Sequence, residues 1–549
     1  MKYMPPVQII QRTLLSLICL CLLVMAGCAS LPRKAAPVAG MKKAPTVFIV
    51  ILDALKRETL MESLNDLPHF RSVIKGEHED YPYLHFKNVL VSIPSSSKPS
   101  NTTLLTGVYP KRHGVPSTLW FDRKREQIVT LTSISQRGIV NILKERHRDT
   151  LFDFAHRSGK KTLAVATQVA KGVAPEDWIQ QSIHLWGQAF MLNLLRRGLP
   201  YPDGAHIDRG TTEGLLNGYL YSLTDGLAGN MRSTGTIPDL VVLHYVGLDI
   251  FTHYPRPFMT EEGWTIDEIQ RWYLKEVLDP EIGRVKDFLQ RKGLYDDVVF
   301  FFIADHGQTR IINHIDEHAL TTALSERFPV KTKGRVGGAD VVCMPGAGTK
   351  TIYVRNRTAA DWITPPRLVE DVKPVVDCVI NTDDMKEYLN YILIGQYPGD
   401  RCNGRQESDV YWFLNLHHYR ASDRSGADFL GALESLERLD DAVGPDLRTA
   451  FMYRRDFVRE SLPDIILINK PGCYFTPDDG KYAHHGGIYS DDAFVSFVIS
   501  GPQIHRFATH PHTVTEGIDS VDMVPMAAHL ADITIDRPLD GRDRIAELR

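Results

Sequence analysis

The chain of 549 residues has 63 Lys plus Arg against 67 Asp plus Glu, a net charge of −4. Its 43% hydrophobic and 24% charged residues match ordinary globular usage, which excludes a disordered, collagen-like or polytopic membrane protein. The near-neutral balance argues against a nucleic-acid partner, which calls for a basic excess. The length allows two to four domains, or one large α/β domain with insertions.

Lys2 and Arg12 lead into a mostly apolar run from Leu14 to Met25. A run this short falls well below the about 20 residues a helix needs to cross a bilayer, and it has the form of a secretory signal. It ends in Met25-Ala26-Gly27-Cys28, which resembles the bacterial lipoprotein signal, with Met25 where Leu is usual. That resemblance implies a signal over 1–27, acylation of Cys28, and a location in the bacterial cell envelope, lipid-anchored in the periplasm. Ala29, which is not acidic, favours the outer membrane. Residues 28–45, rich in Pro, Ala, Gly and Lys, read as a flexible tether. Beyond them lie Cys343, Cys378, Cys402 and Cys473, which permit two disulfides in three possible pairings. They lack the C-x-x-C spacing of a zinc–thiolate site.

Five apolar runs then read as buried parallel strands: Val47 to Leu52, Leu240 to Val246, Val298 to Ile303, Ile465 to Ile468 and Phe494 to Ile499. Helical stretches such as Thr211 to Leu227 and Trp272 to Lys292 lie between them. Alternating strands and helices predict a three-layer α/β/α sandwich with a mostly parallel central sheet. Residues 325–460 are mixed and polar, with only weak strand signals such as Thr351 to Val354. They read as an inserted cap, which leaves 46–324 and 461–549 as the catalytic core. The cap and the segment Gly198 to Gly218 are expected to line the substrate pocket.

Ligands of such sheets bind beyond the carboxyl ends of the strands, and acidic and imidazole residues gather there. Asp53 follows the first strand, Asp249 and His253 follow a later one, and Asp305-His306-Gly307 follows the next. His484-His485-Gly486-Gly487 lies between two late strands. Singly, an Asp after a strand is an ordinary helix cap and a surface His does nothing. Together, oxygen and nitrogen donors on one sheet edge suit zinc, with manganese possible. Ser97 opens a helix whose first turn holds Pro99, where free N–H groups favour an anion. A metal beside that hydroxyl makes it a nucleophile at neutral pH.

With these residues in view, the chain resembles the alkaline phosphatase superfamily, and most closely its type I phosphodiesterase/nucleotide pyrophosphatase branch. The matches fall in family order: Asp53; Leu104-Leu105-Thr106-Gly107-Val108-Tyr109-Pro110-Lys111-Arg112-His113-Gly114; Asp249-Ile250-Phe251-Thr252-His253; Asp305-His306-Gly307; and His485-Gly486. The resemblance implies the alkaline phosphatase-like fold and two Zn2+ ions, with Mn2+ as the substitute. One ion would be held by Asp249, His253 and His485, and the other by Asp53, Asp305 and His306. It implies attack of Ser97 on a small-molecule phosphate ester, a phosphoserine intermediate and its hydrolysis. The family tends to carry an Asn after the His-Gly pair, where this chain has Thr118; Asn101 is a second candidate for that oxygen-binding role. His113 reads as structural, and His484 as facing solvent or substrate.

The nearest rival is a sulfatase, whose signature resembles C-x-P-S-R. Here Ser97-Lys98-Pro99-Ser100-Asn101 puts Asn in place of that Arg, and Asp53 is followed by Ala54 instead of a second Asp. Phosphomonoesterases and phosphotransferases of the superfamily share the ligand set. A catalytically inactive, surface-anchored binding protein is the non-enzymatic alternative.

Overall fold

A computed structural model of the protein describes residues 44–131, 136–174, 177–179, 238–395, 411–421, 424–435, 461–476 and 480–548. The signal, Cys28, most of the tether, the segment 198–218, the helix expected over 211–227 and Cys402 lie outside the described residues.

In chain order, six strands come first: β1 (Thr46–Leu52), β2 (Leu84–Leu90), β3 (Thr162–Val165), β4 (Trp178–Ile179), β5 (Leu240–Tyr245) and β6 (Val298–Ile303). Seven more build a second sheet: β7 (Val330–Lys331), β8 (Val341–Cys343), β9 (Thr349–Val354), β10 (Leu389–Gly395), β11 (Tyr411–Leu414), β12 (Leu433–Ser435) and β13 (Ile465–Asn469). The chain then returns with β14 (Phe494–Ser500) and β15 (His512–Asp519). The helices that matter here are α1 (Pro68–Lys75), α2 (Ser97–Thr106), α3 (Gly247–His253), α4 (Asp279–Arg291), α5 (Lys373–Asn381) and α6 (Met523–Ala531).

The main sheet runs β15-β2-β14-β6-β1-β5-β3-β4. Every residue of β1, β5 and β6 is buried. A strand hidden on both faces loses its polar alternation, which is why these runs read as continuous hydrophobics. Helices supply the cover. Phe70 of α1 sets its ring against Phe302 of β6, at 5.3 Å between centroids. Asp279 at the start of α4 accepts hydrogen bonds from the Phe70 and His69 N–H groups, at 2.8 and 3.2 Å, which caps the free first turn of α1. On β1 and α2 packs α6. The result is the mixed α/β architecture with a large, mostly parallel central sheet.

Two strands differ from expectation. β14 pairs antiparallel with both β2 and β6. The run Ile465 to Ile468 is β13, which lies in the second sheet, antiparallel to β9 and β10. An apolar run reports burial on both faces but carries no information about direction or partner, so the pattern alone reads as parallel. The helix expected over 272–292 begins earlier, at Ile266, and passes through a π-turn at Leu274–Leu278.

The second sheet has the order β7-β8-β9-β13-β10-β11-β12, and α5 packs Val375, Val376 and Val379 into its core. Cys343, Cys378 and Cys473 are free, buried thiols here, so the two disulfides that the cysteine count permits are not formed. Thiols in a packed apolar cluster behave as small hydrophobes. The hairpin Leu119–Asp122/Gln127–Thr130, which follows α2, is fastened to this sheet by one buried ion pair. Arg123 Nη2 meets Asp464 Oδ2 at 2.5 Å, with side chains 4% and 1% exposed. Arg123 also donates to the Trp362 and Leu462 carbonyls, and Asp464 accepts from the Val354 N–H.

Removing one partner of such a pair strands a buried charge, at a cost of about 3–5 kcal/mol. Asp464→Ala is therefore expected to lower the thermal midpoint clearly. The double variant Arg123→Met/Asp464→Leu is expected to recover most of the loss when both are followed by thermal denaturation.

Candidate active site

Three adjacent strands deliver the site. β6 and β5 flank β1, with Ile51 level with Ile303 and Leu52 level with Tyr245. The residues that leave these strands therefore emerge together at one edge. Asp53, whose N–H donates to the Tyr245 carbonyl at 3.1 Å, leaves β1. Asp305 and His306 leave β6, and β5 runs on into α3. There Asp249 and His253, four apart, share one helix face. His485 arrives from far along the chain, after the second sheet.

Asp53, Asp305 and His306 have donor atoms within 4.8 Å of one another, all buried. Asp305 Oδ1 accepts from the backbone N–H groups of Ala54 and His306, at 3.2 and 3.1 Å. Ala54 reaches this position with φ +63°, a left-handed conformation that costs a β-carbon-bearing residue energy and recurs at functional sites. Asp249 Oδ1 lies 3.2 Å from His253 Nε2 and 3.7 Å from His485 Nε2. The two groups adjoin, since the rings of His306 and His485 stack with centroids 4.0 Å apart. All six sequence-derived ligand candidates thus meet in one place.

The imidazoles share one device. His306 Nδ1 faces the Gly307 carbonyl at 3.0 Å, His253 Nδ1 the Ala483 carbonyl at 2.6 Å, and His485 Nδ1 the Ser95 carbonyl at 3.2 Å. A carbonyl can only accept, so each Nδ1 carries a proton and each Nε2 is turned to the cluster, where it can take a metal cation or a second proton. Without one of these, its lone pair and the carboxylate oxygens repel. Asp53 makes the same demand. Its Oδ1 is buried without a hydrogen-bond donor, and burial, then repulsion from Asp305 and Asp249, pushes its carboxyl well above the usual range. Burial would also raise Asp249, but the imidazoles of His253, His485 and His306 overcome it and hold that carboxyl low. The donor set fits divalent cations of the nitrogen- and oxygen-binding kind.

Ser97 is the first residue of α2, and its hydroxyl lies 3.1 Å from His306 Nε2. Asn101 spends both amide protons elsewhere, on the Ser97 carbonyl at 2.9 Å and on Asp305 Oδ2 at 2.7 Å. It is a brace for Asp305 and has no proton left for a phosphoryl oxygen. Thr118 instead lines an open cleft of about 270 Å³ together with Ser96, His484 and His485. His113 is fully buried, with Nε2 on the Thr103 hydroxyl at 3.0 Å, as a structural residue would be. His484 stacks on Tyr474 and accepts the His485 N–H at Nδ1.

Several contributors escape the sequence reading. His244, inside β5, donates from Nε2 to Asp53 Oδ2 at 2.9 Å. Gln308 donates to Asp249 Oδ1 at 2.5 Å. Asp492 accepts from Thr309 Oγ1 at 2.7 Å and from the Tyr474 hydroxyl and Gly487 N–H at 2.9 Å; its own carbonyl takes the Gly307 N–H at 2.9 Å. It clips the Asp-His-Gly turn to the His-His-Gly-Gly loop, and burial pushes its carboxyl up to about 6. Both loops need glycine there, because a β-carbon on Gly307 would stand 2.0 Å from the Asp491 carbonyl, and one on Gly487 2.4 Å from Asp492 Oδ2. Lys98, next to Ser97, is 7% exposed, and burial lowers it to about 8 although Asp53 opposes the shift. A buried His or Lys within an apolar or polar run carries no spacing signal, and only the fold reveals its neighbour.

The family model of type I phosphodiesterase / nucleotide pyrophosphatase matches residues 47–488, a span that holds Ser97 and all six ligand candidates. The chain belongs to this family. No curated protein matches it in sequence. Murine ectonucleotide pyrophosphatase/phosphodiesterase 5, solved as an inactive form in complex with AMP, is 14% identical with a TM-score of 0.54, over 92% of this chain and 99% of that one. The human protein of the same name is also 14% identical, with a TM-score of 0.51 over 91% and 98%. At that identity the likeness shows the shared fold. The phosphodiesterase family is one of metal-dependent enzymes, and the Asp/His cluster described above is this member's candidate metal site.

The packing of α2 can be checked away from the Asp/His cluster. Burial, reinforced by Arg146, holds His113 well below its ordinary 6.5. The unfolded chain takes up a proton near pH 6.5 that the folded chain refuses, so stability falls as the pH drops below that value. The loss is about 1.4 kcal/mol per pH unit until the folded value is reached. His113→Gln is expected to flatten this part of the pH–stability profile, measured by thermal unfolding between pH 5 and 8.

Proposed function

We propose that the protein hydrolyses phosphate diesters in two steps, with Ser97 as nucleophile and a phosphoserine intermediate. The observation that carries this reading is the Ser97 hydroxyl, 3.1 Å from His306 Nε2 at the join of the two Asp/His groups. Asp249, His253 and His485 would hold one divalent cation, and Asp53, Asp305 and His306 the other, with zinc favoured and manganese the substitute. When bound, such cations supply Lewis-acid charge to the phosphoryl oxygens and favour the ionised form of the serine hydroxyl.

The chain's own residues set the geometry. α2 holds Ser97 at its N-terminal end, where free N–H groups and the helix dipole favour the phosphoryl anion. The Ser97 oxygen forms a bond to phosphorus as the bond to the alcohol oxygen breaks, and the alcohol leaves to be protonated by solvent. Water then displaces Ser97, which regains its proton, and a phosphate monoester departs. Thr118, on the cleft wall, would donate its hydroxyl to a non-bridging oxygen. Asn101 and His244 keep Asp305 and Asp53 aligned. Residues 325–460, whose strands the second sheet completes with β13 from the returning segment 461–549, act as a substrate-binding cap beside a core formed by 46–324 and the rest of 461–549. Cys28 carries a lipid that tethers the enzyme in the periplasm.

Ser97→Ala is expected to lower turnover of bis-p-nitrophenyl phosphate at least about a thousandfold while metal content, read by elemental analysis, stays unchanged. Turnover retained in that variant would move the nucleophile elsewhere. Asn101→Ala is expected to keep Ser97 in place but weaken metal binding about 10–100-fold, the usual effect of losing a partner behind a ligand, read by competition with a chelator. For the anchor, Cys28→Ala should shift the protein from the membrane fraction to the soluble one.

A further inference from the structure

Among the described residues three lysines are buried: Lys98, Lys286 and Lys350. Two of them are matched. Lys286 donates to the Ser72 hydroxyl at 2.8 Å and to the Glu77 carboxylate, and Lys350 pairs with Glu317 at 3.4 Å. Even Lys56, which is less buried, is held by Asp267 and Asp491 at 3.0 and 3.3 Å. Lys98 is 7% exposed, yet no described residue accepts a hydrogen bond from its ammonium. Burying an ammonium without a bonded counter-ion is strongly unfavourable, so its position calls for an anion that arrives from outside.

The place of Lys98 indicates which anion. It follows Ser97 in the first turn of α2 and is the single Lys or Arg of that helix. Its charge acts on Asp53 and on His244 behind it, so the ammonium faces the Asp53 side of the cluster. Asp53 Oδ1 still lacks a donor, which means that the ammonium stops short of the carboxylate. A phosphoryl group carried on the Ser97 oxygen would lie beside both.

We propose that Lys98 gives the site a second activity, the hydrolysis of phosphate monoesters, by pairing with the second negative charge of their phosphoryl group. This shares Ser97 and the Asp/His cluster with the diester reading and adds a substrate class.

The charges agree. Three carboxylates against two divalent cations would leave one net positive charge, enough for the single negative charge of a diester. Lys98 brings another. A monoester is close to doubly negative at neutral pH, and a lysine serves such a group as a point charge. In the reaction, the Ser97 oxygen bonds to phosphorus as the bond to the alcohol oxygen breaks, and the alcohol takes a proton from solvent. Water then displaces Ser97, which regains its proton, and inorganic phosphate leaves. The monoester released by the diester reaction is itself a substrate of this kind.

The test uses the zinc-loaded full chain at pH 7 with p-nitrophenyl phosphate and methyl p-nitrophenyl phosphate, which share a leaving group and differ by one charge. Both are expected to turn over. Lys98→Met is expected to lower the monoester-to-diester ratio of kcat/KM at least thirtyfold, and Lys98→Arg to restore it. A merely structural lysine would move both substrates together. Lys98→Gln repeats the comparison should Lys98→Met not fold. Binding is read separately in the Ser97→Ala background, by calorimetry of phenylphosphonate and its monomethyl ester. Adding Lys98→Met there is expected to weaken the doubly charged compound at least tenfold relative to the ester. A ratio unmoved by the neutral variants, or turnover of the diester alone, would overturn the monoesterase assignment and leave the diester reading standing. Turnover of the monoester alone, lost in Lys98→Met, would overturn the diester reading and uphold the assignment. If neither ester turns over, equal weakening of the two phosphonates sinks the role of Lys98.

Discussion

The structure is organised around an electrostatic debt. Asp53, Asp249 and Asp305 are brought to one edge of a sheet whose strands are wholly buried. Three imidazoles turn Nε2 towards them, because each Nδ1 is held by a backbone carbonyl. Such an arrangement is unfavourable by itself and becomes favourable only with positive charge at its centre. The surrounding polar links of His244, Asn101, Gln308 and Asp492 keep the donors in place, so a cation finds the site already assembled.

That constraint explains where the sequence is permissive and where it is strict. β1 has only to be apolar and buried, and many residues meet that need. Ala54 must sit in a left-handed turn to aim its N–H at Asp305, and Gly307 and Gly487 must lack a β-carbon to let two loops touch. The stability of the sheet pins these turns, as is usual where backbone strain accompanies function.

Much of this was legible in the chain. Asp53, Asp249, His253, Asp305 and His306 follow apolar runs, at the ends of strands or on the short helix after one, and short-range spacing is enough to read them. His485 was legible through its motif. Strand direction was not: β13 and β14 carry the same apolar signature as β1, since burial on both faces leaves the same trace whichever way a strand runs. The second sheet was hard to see because several of its strands are only two to four residues long, including β7, β8, β11 and β12. Asp492 and Lys98 were invisible as site residues, since what defines each is a neighbour remote in sequence.

The long reach of the site has a consequence for biosynthesis. Its first carboxylate is at position 53 and its last imidazole at 485, so the donor set closes only after nearly the whole polypeptide has left the ribosome. Contacts of such sequence separation form late. A nascent chain therefore carries Ser97 without the assembled Asp/His cluster, and the candidate site is complete only in the finished molecule.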